Sequence, residues 1–503
     1  VSQVAAPETA QELELYHFQA EAVEELRENI RRGIMNQVLC APTGAGKTIM
    51  ATWLIQRAYD LGHRAVFVAD RIQLIDQTSA VLDDYGIPHG VIQGDHWRHR
   101  PYERIQVASA QTLARRGWSR NADLLVIDEC HTLHSTVLER IKPRDTVTVG
   151  LTATPFARGM AKWYDALVTA ATTEDLIERG FLAPFRVYAP SEPDMDGAKV
   201  SAGEWTTDEA SKRAIPIVGD CVREYLRHAE GRKFVAFGAD VAHCEELQRQ
   251  FEAAGVPVGV YSYRTPDQER AEMLEEFRKP DSCLRGLSSV AALAKGFDVA
   301  DIGCVILARP LRSSLTAHIQ SLGRGLRRDP NDPEKECVVL DHAGNCVRFW
   351  PQMNEFFEAG PPGLDDGKKR KRKKRKPPDK KRGRKCPQCS HVHSYRPHCP
   401  ECGHEYPRRK RIHKDGELVE AGSGATASMD EKQRVYSELI AIQRDRRYKK
   451  GWVAHKYRER FGVWPHHSLQ WEPRLPSRET LQWVKSRMIA WAKSKKNGNG
   501  GHG

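Results

Sequence analysis

The chain has 503 residues, 40% hydrophobic and 29% charged, with 78 Lys and Arg against 66 Asp and Glu, a formal charge of +12. That length admits two or three domains, each with its own core, and the composition excludes collagen-like, coiled-coil and wholly disordered classes. The charge is uneven: residues 1–367 hold 41 basic and 53 acidic side chains, residues 368–411 hold 19 and 3, and residues 412–503 hold 18 and 10. A basic tail on an acidic body reads as a polyanion-binding appendage. No uncharged apolar run approaches the roughly 18 residues of a membrane span. The acidic stretch 1–15 lacks the apolar core of a signal peptide. Eight of the 12 Cys are scattered singly and four cluster at 386–402, the pattern of a reduced, cytoplasmic protein with one local metal candidate.

From about residue 13 to 183, short apolar runs at 38–40, 65–68, 105–108, 124–127 and 147–150 alternate with amphipathic stretches such as 48–59 and 71–84. Continuously apolar strands joined by helices predict a parallel sheet covered on both faces. A second series begins near 184, with strands at 234–237, 259–261, 286–290, 304–307 and 337–340 and a helix at 241–253 closed by Gly255. The fold class is therefore α/β, with two tandem parallel-sheet domains over 1–183 and 184–359. A basic linker follows at 360–385, expected to be disordered because like charges repel. A Cys cluster at 386–406, a polar linker at 407–430, a helical basic and aromatic region at 431–496 and a tail at 497–503 complete the chain.

Three motifs carry chemistry. Ala41-Pro42-Thr43-Gly44-Ala45-Gly46-Lys47-Thr48 lies between a strand and a helix, differing from a strict phosphate loop only in Ala41 for the first Gly. Its small residues, Gly44 and Gly46 among them, let backbone N–H groups wrap phosphates at a helix N-terminus. Lys47 would reach the β- and γ-phosphates, and the Thr48 hydroxyl would bind Mg²⁺. Asp128-Glu129-Cys130-His131 follows the strand at 124–127. An acidic pair there is, taken alone, most often a solvated loop. Paired with the phosphate loop, Asp128 can hold Mg²⁺ and Glu129 can orient and deprotonate water. In Gln320-Ser321-Leu322-Gly323-Arg324-Gly325-Leu326-Arg327, Arg324 and Arg327 are three apart and are expected to share one helical face. Aimed across an interdomain cleft, they could stabilise charge on a transferring phosphoryl.

The order of these motifs resembles that of a superfamily 2 DExH helicase over about residues 13–350, which implies two RecA-like domains, ATP hydrolysis and nucleic acid as partner. Thr152-Ala153-Thr154 resembles the coupler between hydrolysis and strand movement, with His131 beside it, and Gly296-Phe297-Asp298 together with Gln320 the nucleotide side of the second domain. By the same resemblance Gln19, after Phe18, reads adenine. Arg71 in Ala69-Asp70-Arg71, and Gln111 and Thr112 in Ser109-Ala110-Gln111-Thr112, would grip one nucleic-acid strand; the usual Pro near Arg71 is missing. Phe237, Arg264 and the 265–277 stretch match the second domain's nucleic-acid side. The subgroup most resembled is the type III restriction and repair-like helicases of bacteria and bacteriophages, which implies DNA; the alternatives are an RNA helicase and a nucleic-acid-binding scaffold with a degenerate ATPase core, against which the intact Lys47, Asp128, Glu129 and Arg327 argue. Pro193-Asp194 lacks a following acidic-x-Lys, so a nuclease is not expected.

Cys386-Pro387-Gln388-Cys389 and Cys399-Pro400-Glu401-Cys402 are two C-x-x-C knuckles nine residues apart. Four thiolates on tight turns complete a closed, structural Zn²⁺ site of zinc-ribbon type; redox-active pairs are the alternative, and His391, His393, His398 and His404 are nearby bystanders. The basic run at 368–376, continued at 380–385, reads as a salt-sensitive phosphate-binding arm or, in a eukaryotic host, a nuclear-localisation patch. Trp452, Trp464, Trp471, Trp483 and Trp491 among basic residues could stack on single strands or form the core of a small helical domain.

Overall fold

The computed structural model describes residues 13–117, 122–141, 145–290, 297, 299–368, 383–406, 428–449 and 451–497. It divides into two compact units, 1–408 and 409–503. The first domain runs α1 (His17–Arg31), β1 (Asn36–Cys40), α2 (Lys47–Asp60), β2 (Ala65–Ala69), α3 (Ile72–Asp84), β3 (His89–Ile92), β4 (Ile105–Ser109), α4 (Ala110–Arg116), β5 (Leu124–Ile127), α5 (Ser135–Ile141), β6 (Val147–Thr152), β7 (Ala166–Thr169) and α6 (Thr173–Glu178). Its sheet order is β3-β4-β2-β5-β6-β1-β7, and every pairing is parallel. All five predicted strands form. The edge strands β3 and β7 were not among the expected ones: β3 opens on His89-Gly90 and is not a continuous apolar run, although Ala166-Leu167-Val168 of β7 is one.

The second domain runs β8 (Phe185–Tyr188), a hairpin of β9 (Val200–Ser201) and β10 (Glu204–Trp205), α7 (Thr207–Ala214), α8 (Val218–His228), β11 (Lys233–Phe237), α9 (Val241–Ala253), β12 (Val258–Val260), α10 (Asp267–Arg278), β13 (Gly286–Ser289), β14 (Ile302–Leu307), α11 (Leu315–Leu322), β15 (Cys337–Asp341) and α12 (Asn345–Ala359). Its six strands are ordered β12-β13-β11-β14-β15-β8, again all parallel. Separate apolar clusters fill the two faces of each sheet. Parallel strands end their loops on one edge, so each sheet offers a single carboxyl edge for chemistry. In the first sheet, the adjacent strands β5, β6 and β1 carry Asp128, Thr152 and Ala41 at or just beyond those ends, while β2 and β4 carry Arg71 and Gln111.

Two expectations are corrected here. The stretch from 360 was read as the start of a disordered linker, yet residues 360–368 run back onto the first domain. Gly159 N donates to Asp365 Oδ1 (2.9 Å) and Arg158 Nη2 to the Gly367 carbonyl (2.9 Å); the acidic pair Asp365-Asp366 precedes the basic run and supplies acceptors that lysines could not. The remainder, 369–382, lies outside the described residues. The Arg324–Arg327 stretch is not helical: α11 stops at Leu322, Arg324 follows in a turn, and Arg327 is bridged to Leu182. A Cβ at Gly325 would collide with Cys337 and sit 2.9 Å from Val305 Cγ2, so the backbone turns against the sheet where a helix could not fit.

The Cys cluster forms β16 (Arg384–Lys385) and β17 (Val392–His393), paired antiparallel, and it packs on the second domain. Ala189 N donates to the Ser390 carbonyl (3.0 Å), and Tyr188 and His391 form a bridge beyond β8. Arg186 and Tyr188 of β8 both donate to the Glu401 carboxylate, Tyr188 at 3.0 Å. An edge strand with free backbone groups invites unwanted pairing; the ribbon covers this one.

The second unit contains α13 (Met429–Asp445), α14 (Gly451–Phe461) and α15 (Arg478–Asn497) around Val435, Leu439, Ile440, Val453, Tyr457 and Val484. Trp452 and Trp483 pack against this core, as the helical-domain reading expects, while Trp464 and Trp471 are about half exposed. The 407–427 linker and the side chain of Trp491 lie outside the described residues.

The last helix of the second domain also braces the first: the rings of Phe356 on α12 and Phe156 sit edge to face with centroids 4.9 Å apart. Phe356→Ala should destabilise the first unit by about 3 kcal/mol. A double-mutant cycle with Phe156→Ala, read by denaturant unfolding, should give a coupling of about 1 kcal/mol; strict additivity would show that the contact contributes nothing.

Candidate active site at the interdomain cleft

β1 is buried throughout and delivers the phosphate loop to the N-terminus of α2. Gly46 caps that helix in the left-handed region (φ 79°). Gln19, from the first turn of α1, lies over it: its amide donates to the Ala45 carbonyl (2.9 Å) and accepts from Tyr16 N (3.0 Å). Gln19 is thus fixed at the loop. The Lys47 ammonium donates to the Ala41 and Pro42 carbonyls (3.1 and 3.2 Å). Its pKa is lowered by burial, with Glu129 and Asp128 opposing. These carbonyls hold the ammonium above the loop in the position a phosphate oxygen would claim.

Asp128 stands at the tip of β5, half-buried. Burial, reinforced by the Glu129 carboxylate, pushes its carboxyl pKa up, against the pull of Lys47. Two adjacent half-buried carboxylates beside the Lys47 ammonium are a donor set that fits a divalent cation. Glu129 has φ 46°, uncommon for a residue with a side chain. Its Oε2 lies 3.2 Å from His131 Nδ1. That nitrogen is also 2.9 Å from Thr152 Oγ1, which accepts from Thr154 N (3.0 Å). Glu129, His131, Thr152 and Thr154 therefore form one chain of contacts between the tips of β5 and β6.

The second domain closes this site. A Cβ on Gly323 would lie 2.6 Å from Thr43 Cβ, and Gly44 lies under Leu182 and Arg327. Leu182 and Arg327 are bridged, and Ala183 N donates to the Leu326 carbonyl (2.8 Å). Arg324 is buried; it and Arg327 both donate to the Phe297 carbonyl, Arg327 at 2.9 Å. That carbonyl was missed as a site group, since no side-chain pattern marks a backbone acceptor. Gly296 and Asp298, beside it, lie outside the described residues.

Gln320 was expected on the nucleotide side. It lies instead on a cavity of about 180 Å³ lined also by Arg71, Phe237, Val290, Leu307 and Asn345. Gln320 is on α11, whereas Arg324 and Arg327 follow the end of that helix, so proximity in sequence misled. Phe237, expected to face nucleic acid, is buried (4% exposed) in the second domain's core and lines that cavity; it is the last residue of a central strand. Gln111 is tied to the residue before Arg71, for its amide donates to the Asp70 carbonyl (2.8 Å), and Ser109 Oγ donates to Gln111 Oε1 (2.9 Å). Thr112 Oγ1 accepts from Gly94 N (3.4 Å). Arg264 is exposed beside Tyr263. A link that the sequence did not signal joins Gln73, just beyond Arg71, to Tyr261 of the second domain.

Sequence comparison agrees with this geometry. Residues 12–157 match the family described as "Type III restriction enzyme, res subunit", and residues 218–329 match "Helicase conserved C-terminal domain". The chain is a superfamily 2 helicase. As an ATP-hydrolysing helicase it uses ATP with Mg²⁺. It is 27% identical over 333 residues to a 51.5 kDa protein of a Lactococcus phage, covering 64% of this chain and 69% of that one. It is 23% identical over 359 residues to a Saccharomyces cerevisiae protein, IRC3, provisionally named an ATP-dependent helicase, of which it spans about half (66% of this chain, 51% of that one). In fold it resembles a fragment ascribed to the HsdR subunit of a type I restriction enzyme from Vibrio vulnificus, with TM-score 0.54 and 20% identity over 70% of this chain and 69% of that one. Among the described residues no helix is long and apolar enough to cross a membrane.

The tight fit at Gly46 yields a test of the loop. Gly46→Ala adds a Cβ into the Gln19 amide at a φ that only glycine adopts freely. Affinity for a fluorescent ATP analogue should fall at least tenfold while the melting temperature moves little.

Proposed function

We propose that the chain is an ATP-driven DNA translocase whose two domains work at the cleft described above. The observation that carries this reading is the convergence of the phosphate loop, Asp128, Glu129, Arg324 and Arg327 on one cleft. The Arg71 and Gln111 tips lie on the same sheet edge, at the ends of β2, which neighbours β5, and of β4 beyond it. The match of residues 12–157 to a restriction-enzyme subunit favours DNA over RNA. The scattered, unpaired cysteines suit a cytoplasm, bacterial or phage-infected.

Lys47 would leave its carbonyls to meet phosphate oxygens, and Thr48 and Asp128 would hold the cation. Bound ATP with Mg²⁺ supplies the phosphoryl group to be transferred and the positive charge that screens it. Glu129, held at an unfavourable φ against His131, is placed to take a proton from the attacking water. Arg324 and Arg327 bring charge from the second domain to the departing phosphoryl. The His131–Thr152–Thr154 chain gives a route by which Glu129 could report its state to β6 and, through Arg71 and Gln111, to a bound strand. The 1–183 and 184–359 domains would thereby open and close as units.

The Cys386, Cys389, Cys399 and Cys402 sulfurs lie within 4.8 Å of one another. The Cys386–Cys402 and Cys389–Cys399 pairs are 3.6 and 3.7 Å apart, near the ~3.8 Å edge of a tetrahedron with Zn–S of about 2.3 Å. Both knuckles have one backbone form. Cys386 N donates to the His391 carbonyl and Cys399 N to the His404 carbonyl, each at 2.9 Å, and Ser390 and Gly403 are both left-handed. Burial opposes the Cys386 thiolate, but N–H donors at Cys389 and Gln388 and the adjacent thiols bring its pKa down to about 6. This donor set supports structural Zn²⁺. The histidine rings stand outside it, with His393 bonded to Tyr406 (2.9 Å).

ATPase assays decide the main reading. Single-stranded DNA should stimulate hydrolysis more than matched RNA, and Glu129→Gln or Arg327→Ala should cut stimulated turnover by about 10³-fold with nucleotide still bound. Stronger stimulation by RNA would overturn DNA as the track; unchanged turnover in both variants would overturn the site. Metal analysis should find about one zinc per chain, lost in Cys402→Ser together with the thermal stability of the first unit, because β8 loses its cover.

A further inference from the structure

The loop between β3 and β4, residues 93–104, contributes nothing to the nucleotide site. Yet it holds two of the most exposed large side chains among the described residues, Trp97 (76%) and Tyr102 (73%). An exposed tryptophan alone means little, but this one is held in place. Its ring stacks on His96, with centroids 5.6 Å apart and planes 29° from parallel. The Arg98 guanidinium lies 4.7 Å from its centroid.

Both supports are anchored in turn. Arg98 bonds both carboxylate oxygens of Asp83 near the end of α3, and its Nη1 lies 3.0 Å from Nε2 of the buried His89 on β3. His96 lies 3.6 Å from Asp76 of the same helix. The base of the loop is tied to α4, through Gly94 N to Thr112 Oγ1 and Asp95 to Arg116 (both 3.4 Å). The loop is therefore braced on the two helices that begin at Arg71 and at Ser109-Gln111, the strand-gripping tips of the first domain. Arg100 on the loop and Arg115 on α4 are exposed cations, while the neighbouring acids Asp76, Asp83 and Asp95 are each engaged by His96, Arg98 and Arg116.

We infer that Trp97 is a stacking platform for a nucleobase of single-stranded DNA, extending the strand path from the Arg71 and Gln111 tips across the β3–β4 loop. This rests on the DNA reading above and adds a contact outside the helicase motifs. The pinned indole loses little freedom when a base covers it, and stacking tolerates any base because each has a π-face. The exposed cations beside it suit the phosphates on either side of the stacked base.

The test compares, by fluorescence anisotropy of the full chain, an oligothymidylate with an abasic strand of equal length and charge. Phosphate contacts, including those of the basic segment, cancel in that ratio. Wild type should prefer the base-bearing strand about tenfold. Trp97→Ala should lose most of that preference and Trp97→Phe keep most of it, with both variants melting like wild type. A Trp97→Ala ratio equal to wild type would overturn the inference and leave the ring for another partner, such as a protein. A loss of affinity in Arg100→Ala with no change in Trp97→Ala would make the loop an electrostatic contact only, and overturn it as well. Failure of DNA to bind wild type or stimulate its ATPase would instead sink the DNA reading, and this inference with it.

Discussion

The site depends on one steric constraint, the approach of the second domain's Gly323 to Thr43 of the phosphate loop, so close that a Cβ would sit 2.6 Å from Thr43 Cβ. That approach sets Arg327 against Gly44 and places Arg324 within electrostatic range of Lys47. It also explains why the helix before it ends at Leu322. Beyond it, a Cβ at Gly325 would collide with Cys337 and crowd Val305. The same glycines that look like helix breakers in the sequence leave the space that the Thr43, Cys337 and Val305 side chains fill.

Around that contact the charges are interdependent. Lys47 is buried where its ammonium is disfavoured, and Asp128 where its carboxylate is disfavoured. Each is tolerable because the other is near, and because backbone carbonyls hold the lysine. Such a group of buried charges is poised for a polyphosphate and a cation, which would bring charges of both signs. The Glu129–His131–Thr152 chain extends the arrangement from the chemistry into β6, so a change of charge at Glu129 need not stay local.

The acidic balance of residues 1–367 has a structural counterpart. Donors for a polyanion are local in the first domain, at the tips of β2 and β4 and on the β3–β4 loop, and abundant only beyond residue 367. The ribbon between these regions is not a free appendage. Arg186 and Tyr188 of β8 hold Glu401 of the second knuckle, so the Cys cluster is part of the second domain's edge. Any nucleic-acid role for the ribbon must use the surfaces left after that docking.

The sequence by itself determined the two-sheet architecture, the ten principal strands, and the loops bearing Lys47, Asp128 and Arg327, because apolar runs and small-residue turns are local signals. It also determined the four-Cys group, since knuckle spacing sets sulfur geometry within a few residues. Only the tertiary structure decided which loops share a cleft. It put Gln320 and Phe237 on a cavity beside Arg71 rather than at the nucleotide or on an open face, and it returned residues 360–368 to the first domain. It also made the Phe297 carbonyl an acceptor for two arginines and braced Trp97 on α3 and α4. Each of these depends on groups tens to hundreds of residues apart, or on backbone atoms that every residue shares. Neither leaves a mark in local composition or spacing.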